Sequence, residues 1–226
     1  MRRRLVIAID GPAGAGKSSA AKLLARRLGY TLLDTGAIYR ALALIAREHG
    51  IAWSDGPKLA KLARALEVRF RSDGERNRVS VGTREVTDDI RQPDMGEGAS
   101  QVSALAEVRQ ALLELQRRLA AGGGVVAEGR DTGTVVFPHA DVKIFLTASA
   151  EERARRRFEE ERGRGLAVDY DRTLRALVER DQRDQNRAIA PLRPAPDAVM
   201  IDTSGLSLPE VVERLLETVD KRGETH

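Results

Sequence analysis

The amino-acid sequence predicts an α/β fold: a three-layer core built on a five-stranded parallel sheet, with a small antiparallel β insert and a short helical lid. Three observations lead there. Five short apolar runs read as strands buried on both faces. Stretches with helical apolar spacing alternate with those runs, which implies parallel pairing through right-handed crossovers. One segment switches to period-two alternation and stands apart from the rest. The 226 residues suffice for one good-sized α/β domain, or for a core that carries a small insert.

Taken in order, Leu5–Ile9 (LVIAI) is a continuous apolar run and the first strand. A glycine-rich loop, Gly11–Gly16, leads into a helix from Lys17 to about Leu28, with Ala21, Leu24, Ala25 and Leu28 on one stripe. Thr31–Leu33 is the second strand, and a helix follows over about 37–49. Leu66–Phe70, Arg78–Val81 and Arg84–Val86 alternate in period two. Asp73-Gly74 and Gly82-Thr83 separate them, which predicts an antiparallel meander. Val125–Ala127, Val142–Leu146 and Val199–Ile201 supply the remaining strands. Ser149 with Glu152 opens one helix as a capping box, and Ser207 with Glu210 opens the last. On this reading the core comprises residues 1–54 and 96–226, with a lid at about 153–170. The insert occupies about 55–95, and cleft-lining residues continue to about 110.

Composition excludes several classes. The chain is 42% hydrophobic and 32% charged, as in an ordinary folded domain, and no window reaches the roughly 18–20 apolar residues of a membrane span. The N-terminal run ends after five residues at Asp10, short of a signal peptide's apolar region of about 7–15, so the cytoplasm is the expected location. With no cysteine there are no disulfides, zinc ribbons or thiol nucleophiles. His49, His139 and His226 show no ligand spacing. The net charge is +4, and only six of the 38 basic residues are lysine, leaving 32 arginines. Arginine suits phosphate, but abundant Ala and Gly point to genome composition for most of them. Acidic and basic residues are interspersed and aromatics make up 4%, a poor inventory for stacking bases, so no nucleic-acid partner is expected.

The segment Gly11-Pro12-Ala13-Gly14-Ala15-Gly16-Lys17-Ser18 matches the phosphate-loop pattern G-x-x-x-x-G-K-[ST], in the strand–loop–helix context the pattern requires. Its backbone N–H groups form a nest for an anion. Lys17 would reach the β/γ-phosphates and the Ser18 hydroxyl would hold Mg²⁺. Asp34–Arg40 (DTGAIYR) sits at the carboxyl end of the second strand, where ligands bind in open α/β sheets; alternatively, Asp34 and Thr35 only cap the next helix. Glu128–Thr134 (EGRDTGT) follows the third strand. It suits a polar ligand, with Arg130 on a phosphate and Asp131 accepting hydrogen bonds. Arg180, Asp184 and Arg187 recur at i, i+4, i+7 on an expected helix; spacing alone favours an exposed ion-pair ladder, while the same face turned inward would clamp an anion. Glu151–Arg157 and Glu159–Arg164 read as a charged helix, either simply solvated or an arginine-rich lid.

Together these motifs resemble bacterial cytidylate kinases, a branch of the nucleoside monophosphate kinases. The resembling segments are Gly11–Ser19, Leu33–Arg40, Ala99–Val102, Glu128–Pro138 and Arg180–Leu192, and with the meander insert they cover almost the whole chain. The resemblance implies Mg²⁺-dependent transfer of the ATP γ-phosphoryl group to CMP or dCMP. By it, Gly11, Pro12, Ala13, Gly14, Ala15, Gly16, Lys17, Ser18 and Ser19 bind ATP, and Ser18 is the metal residue. Thr35, Arg40 and Arg130 fall near the acceptor phosphate, while Ser100, Arg109 and Asp131 fall where the cytosine ring is read. Arg180, Asp184 and Arg187 match a cluster for sugar and phosphates, which favours the inward reading of that face. Lys17, Arg130, Arg187 and a lid arginine, for which Arg157 stands, are the implied catalytic groups. Thr35 and Glu128 stand where serine and aspartate may occur, and both keep the functional group. A monomer with no membrane partner is expected.

Phosphoryl transfer asks mainly for positioning, charge neutralisation and exclusion of water. The acceptor is already an ionised phosphate, so no strong general base and no phospho-enzyme are expected. Other readings remain at this point: a kinase acting on UMP, dTMP or shikimate, a nucleotide-operated switch, or an RNA-binding module. No Asn-Lys-x-Asp guanine motif supports a GTP switch.

Overall fold

The structure is a computed structural model and describes residues 4–73 and 76–223. Met1–Arg3, Gly74 of the expected Asp73-Gly74 turn, and His226 lie outside the described residues. The element order is β1 (Val6–Asp10), α1 (Lys17–Leu28), β2 (Thr31–Asp34), α2 (Thr35–Glu48), α3 (Gly56–Arg64), β3 (Val68–Ser72), β4 (Asn77–Val81) and β5 (Arg84–Glu85). It continues with α4 (Pro93–Ala104), α5 (Ala106–Leu119), β6 (Val125–Glu128), β7 (Val142–Thr147), α6 (Ala150–Gly163), α7 (Tyr170–Gln185), β8 (Val199–Asp202) and α8 (Leu208–Gly223). A 3-10 turn at Asp89–Arg91 precedes α4, and a π-helical turn at Thr132–Val136 follows β6.

The five expected strands form one sheet in the order β2-β6-β1-β7-β8, and β3-β4-β5 form a separate antiparallel sheet. The α/β reading with a parallel sheet and an antiparallel insert therefore holds. β1 pairs with β7 in parallel from Ile7 opposite Val142 to Asp10 opposite Phe145, and β7 pairs with β8 from Ile144 opposite Val199 to Thr147 opposite Asp202. In this register β7 and β8 end level, at Thr147 and Asp202, and β1 stops at Asp10, two residues short of them.

The chain divides into two compact units. One comprises residues 5–24 and 128–226. It contains β1, β7 and β8, whose Ile7, Ile9, Ile144 and Leu146 are almost wholly buried. Helix α6 packs on α7 here, around Ala154 and Leu177. Ser149 caps α6 by accepting from the Glu152 N–H at 3.1 Å, as its sequence signal implied. Ser207 donates from both its N–H and its hydroxyl to Glu210 as α8 begins.

The other unit comprises residues 25–127 with the N-terminal four. Helix α2 packs on α4 and α3 on α5, around Ile38, Leu42, Leu59, Met95 and Leu112. The meander pairs Val68 with Val81 and Ser72 with Asn77, so strand β3 begins two residues later than its apolar pattern suggested. Asn77 Nδ2 donates to the Leu32 carbonyl of β2 at 3.2 Å, tying the meander to that strand. Helices α3, α4 and α5 stand where the sequence predicts no helix. Asp55 opens α3 by accepting from the Lys58 N–H at 3.2 Å, and Pro57 stands in its first turn.

Candidate active site

In the unit of residues 5–24 and 128–226, the loop between β1 and α1 takes the path its glycines allow. Gly11 has φ +145°, and a Cβ there would stand 2.0 Å from the Leu146 carbonyl oxygen of β7. The backbone must pass that close to β7 in order to turn, so glycine is obligatory. Gly14 (φ +77°) lies against Arg153 of α6. Lys17, the first residue of α1, is 5% exposed and donates to the Pro12 carbonyl at 2.6 Å. Burial holds its ammonium pKa well below the usual lysine value, and the Arg130 charge lowers it further, while Glu128 and Asp10 pull it up.

Ser18 Oγ donates to Glu128 Oε2 at 2.9 Å, and Glu128 is buried at the end of β6. The two form an all-oxygen pair beside the phosphate loop. Among the described residues no set of three or more His, Asp or Glu gathers into a metal cage. The pair fits Mg²⁺, which is commonly held through one or two protein oxygens, with substrate phosphates and water completing its shell.

Asp10, the last residue of β1, is a buried carboxylate that sequence reasoning passed over. It accepts from the Thr132 N–H (2.8 Å), the Gly133 N–H (2.7 Å) and the Thr132 hydroxyl. Burial pushes its pKa up, and those donors together with Lys17 pull against the rise. Its only signal in the sequence was its position immediately before Gly11.

Arg130 and the α7 residues meet on one carboxylate. Asp184 is 1% exposed and accepts from Arg130 Nε at 3.0 Å and from Arg187 Nη2 at 2.5 Å. The exposed ladder suggested by spacing alone is thus corrected for Asp184, which is buried. The helix is also shorter than expected: α7 ends at Gln185, Asn186 caps it, and Arg187 lies beyond. The chain turns back there, so that the Leu192 N–H donates to the Asp184 carbonyl at 2.8 Å. Arg180 is half-buried, and its charge acts on Lys17. Asp131 is buried at the head of the π turn.

The lid arginines separate into different tasks. Arg153 is buried, forms an ion pair with Asp181 at 2.6 Å, and donates to the Ala13 and Ala148 carbonyls at 3.0 Å each. It therefore holds the phosphate loop against α6 and α7. Arg156 donates to the Thr203 carbonyl at 2.6 Å and to its hydroxyl at 3.0 Å. Arg157 is half exposed and pairs with Glu161 at 2.6 Å. Glu152 pairs with both Arg155 and Arg156, at 2.9 and 2.8 Å.

The remaining expected residues lie in the other unit. Thr35 is buried at the start of α2, where Asp34 caps the helix by accepting from the Ala37 N–H at 2.9 Å. The cap reading of this segment is thus a real feature, and Asp34 also pairs with Arg40 at 2.7 Å. The buried Arg40 Nε has no hydrogen-bond partner among the described residues. Arg109 of α5 is buried, donates to the Ser103 carbonyl at 3.3 Å, and lies 5.8 Å over the Tyr39 ring. Ser100 is half-buried on α4, and its carbonyl accepts from the Ser103 hydroxyl at 3.1 Å. Nothing in the local sequence marks Tyr39 as the partner of Arg109, which lies 70 residues further on.

Comparison with known proteins bears on this arrangement. A family profile described as "Cytidylate kinase" matches residues 7–221. A protein from Geobacter sp. (strain M21) named "Cytidylate kinase" is 52% identical over 218 residues, covering 96% of this chain and 94% of its own. Another of that name from Vibrio cholerae is 50% identical over 217 residues, 96% of each chain. Among solved structures, an uncharacterized protein from Eubacterium ventriosum superposes with a TM-score of 0.55 at 12% identity, covering 96% of this chain and 99% of its own. A shikimate kinase from Bacteroides thetaiotaomicron superposes with a TM-score of 0.50 at 14% identity, covering 96% and 98%. The two structures share the fold alone.

Proposed function

The chain belongs to the cytidylate kinase family, and from that premise we propose how its residues transfer the γ-phosphoryl group of ATP to CMP and dCMP. The observation that carries the mechanism is the gathering of Lys17, the Ser18–Glu128 pair and the Arg130–Asp184–Arg187 cluster within one unit.

The backbone N–H groups of Gly11–Ser19 cradle the triphosphate, and the α1 N-terminus adds its positive end. Lys17 neutralises charge on the β- and γ-phosphates. Ser18 and Glu128 would hold Mg²⁺, which when bound supplies further neutralisation of the phosphoryl oxygens. Arg130 and Arg187, oriented by Asp184, face the charge that spreads over the transferring group, and a lid arginine such as Arg157 adds to them. Thr35 and Arg40 hold the acceptor phosphate with Arg130. Ser100, Arg109 and Asp131 read the cytosine edge, where the amino group donates to Asp131. Arg180 and Asp184 serve sugar and phosphates. A site built for that edge leaves buried groups unpaired when uracil enters. The acceptor oxygen attacks in line, so no covalent enzyme intermediate forms.

This reading places the core at residues 1–54 and 96–226, the acceptor insert at 55–95 and the lid at about 153–170. It takes the protein as a cytoplasmic monomer without nucleic-acid or membrane partners. Among the described residues no helix is long and apolar enough to cross a membrane. The test is ADP release with ATP and Mg²⁺ against CMP, dCMP, UMP, dTMP, AMP and GMP, beside a control without acceptor. Turnover with CMP and dCMP far above UMP is expected. Release without acceptor, or equal release with every acceptor, would overturn the reading.

A further inference from the structure

We propose that Asp10 is a positioning residue for acceptor recognition: its carboxylate grips the turn after β6 and so fixes where Arg130 and Asp131 stand beside the phosphate loop. The proposal rests on the reading of Arg130 and Asp131 as acceptor-binding residues.

Asp10 ends β1 and immediately precedes Gly11, so its backbone is fixed by pairing with Phe145 of β7. Its side chain is 4% exposed. An ionised carboxylate only accepts hydrogen bonds, and burying one is costly unless donors meet it. Three do: the N–H groups of Thr132 and Gly133 and the Thr132 hydroxyl. All three belong to the turn that starts directly after Asp131.

That turn is π-helical, a rare form that is frequent at functional sites. Its own bonds return to Asp131, whose carbonyl accepts from the Val135 N–H at 2.9 Å and the Val136 N–H at 3.2 Å. Asp131 therefore sits between a backbone knot on its C-terminal side and, on its N-terminal side, Gly129, whose N–H donates to the Ile9 carbonyl at 3.1 Å. The loop bearing Arg130 and Asp131 is thus pinned at both ends to the last two residues of β1. Gly129 is held through backbone alone, whereas the far end depends on one side chain, Asp10. Charge-assisted bonds of this kind are the stronger class. An asparagine would keep one acceptor but turn an amide N–H₂ towards one of the donors.

The test uses the full chain with Asp10→Asn and Thr132→Val. Asp10→Asn should lower kcat/KM for CMP by about a hundredfold, as expected when reacting groups shift by an ångström. KM for CMP should rise, and the CMP/UMP ratio of kcat/KM should fall. Thr132→Val removes only the hydroxyl and keeps both backbone bonds; it should move the same quantities in the same direction by about tenfold. The two losses should be less than additive in the double variant. A merely structural Asp10 would lower the melting temperature and leave KM for CMP and the CMP/UMP ratio of the folded variants where they were, which would overturn the proposal. If Asp10→Asn fails to fold, Thr132→Val decides by the same criterion. A wild-type protein without CMP turnover would sink the acceptor reading and this proposal with it. A CMP-active wild type with unmoved variants would sink this proposal alone.

Discussion

Lys17 shows how one side chain couples protons to ligand binding. Burial lowers its pKa, Arg130 lowers it further, and Glu128 and Asp10 offset only part of that. An unfolded lysine titrates near 10.4, so between the lowered folded value and about 10.4 the unfolded chain binds the extra proton. The stability of the ligand-free protein therefore rises with pH across that window, because the penalty for burying a charged ammonium is progressively relieved. A triphosphate reverses the balance: its negative charge returns the Lys17 pKa towards the ordinary range, so ATP binding takes up a proton within the same window. ATP affinity should consequently fall as pH rises through it. Calorimetric titration in two buffers of unlike ionisation heat measures the uptake directly, and Lys17→Met should abolish it. Equal heats in both buffers for the wild type would contradict this account.

Elements whose stabilisation is local were legible, and those built by distant partners were not. The strands announced themselves as apolar runs, and α6 and α8 by Ser–Glu spacings that the structure turns into hydrogen bonds. Helix α3 carried a visible signal, Asp55 ahead of Pro57, which the period-two pattern after it obscured. Helix α4 contains Gly96 and Gly98 and little apolar periodicity; its helicity comes from packing on α2. The π turn has no local signature, because the carboxylate that holds it lies 122 residues earlier. Helix α6 gives the clearest case. Arg153, Arg155, Arg156 and Arg157 are interchangeable as letters, yet only Arg153 is buried against Asp181 and the Ala13 carbonyl. Arg153→Met should cost about 3–5 kcal/mol, since it strands Asp181 as a buried charge without its partner. Arg155→Met, which removes exposed pairs with Glu152 and Glu159, should hardly move the midpoint. Denaturant melts of the two variants check this, and similar midpoints would show that Arg153 is not the clamp its bonds describe.

For the whole molecule, the most legible feature was the phosphate loop, because sequence-adjacent residues make the entire nest. The Arg130–Asp184–Arg187 cluster was legible only through resemblance, since spacing cannot tell a buried carboxylate from a solvated one. The two compact units of the structure interleave along the chain, so no single stretch of sequence marks either of them. Every residue expected to hold ATP lies in the unit of residues 5–24 and 128–226, while Thr35, Arg40, Ser100 and Arg109 lie in the other. Ligand-linked stability makes that distribution measurable. ATP with Mg²⁺ at about a hundred times its Kd stabilises the fold by about 2.7 kcal/mol, a rise of roughly 5–10 °C for a chain of this size. CMP at the same multiple of its own Kd should do likewise. Lys17→Met should erase the ATP shift and keep the CMP shift, because Lys17 belongs to the triphosphate cradle and to no acceptor contact. Thermal melts of both proteins with each ligand provide the check. Loss of both shifts together would mean that the phosphate loop also shapes the acceptor site, and the separate assignment of ATP and CMP residues would have to be redrawn.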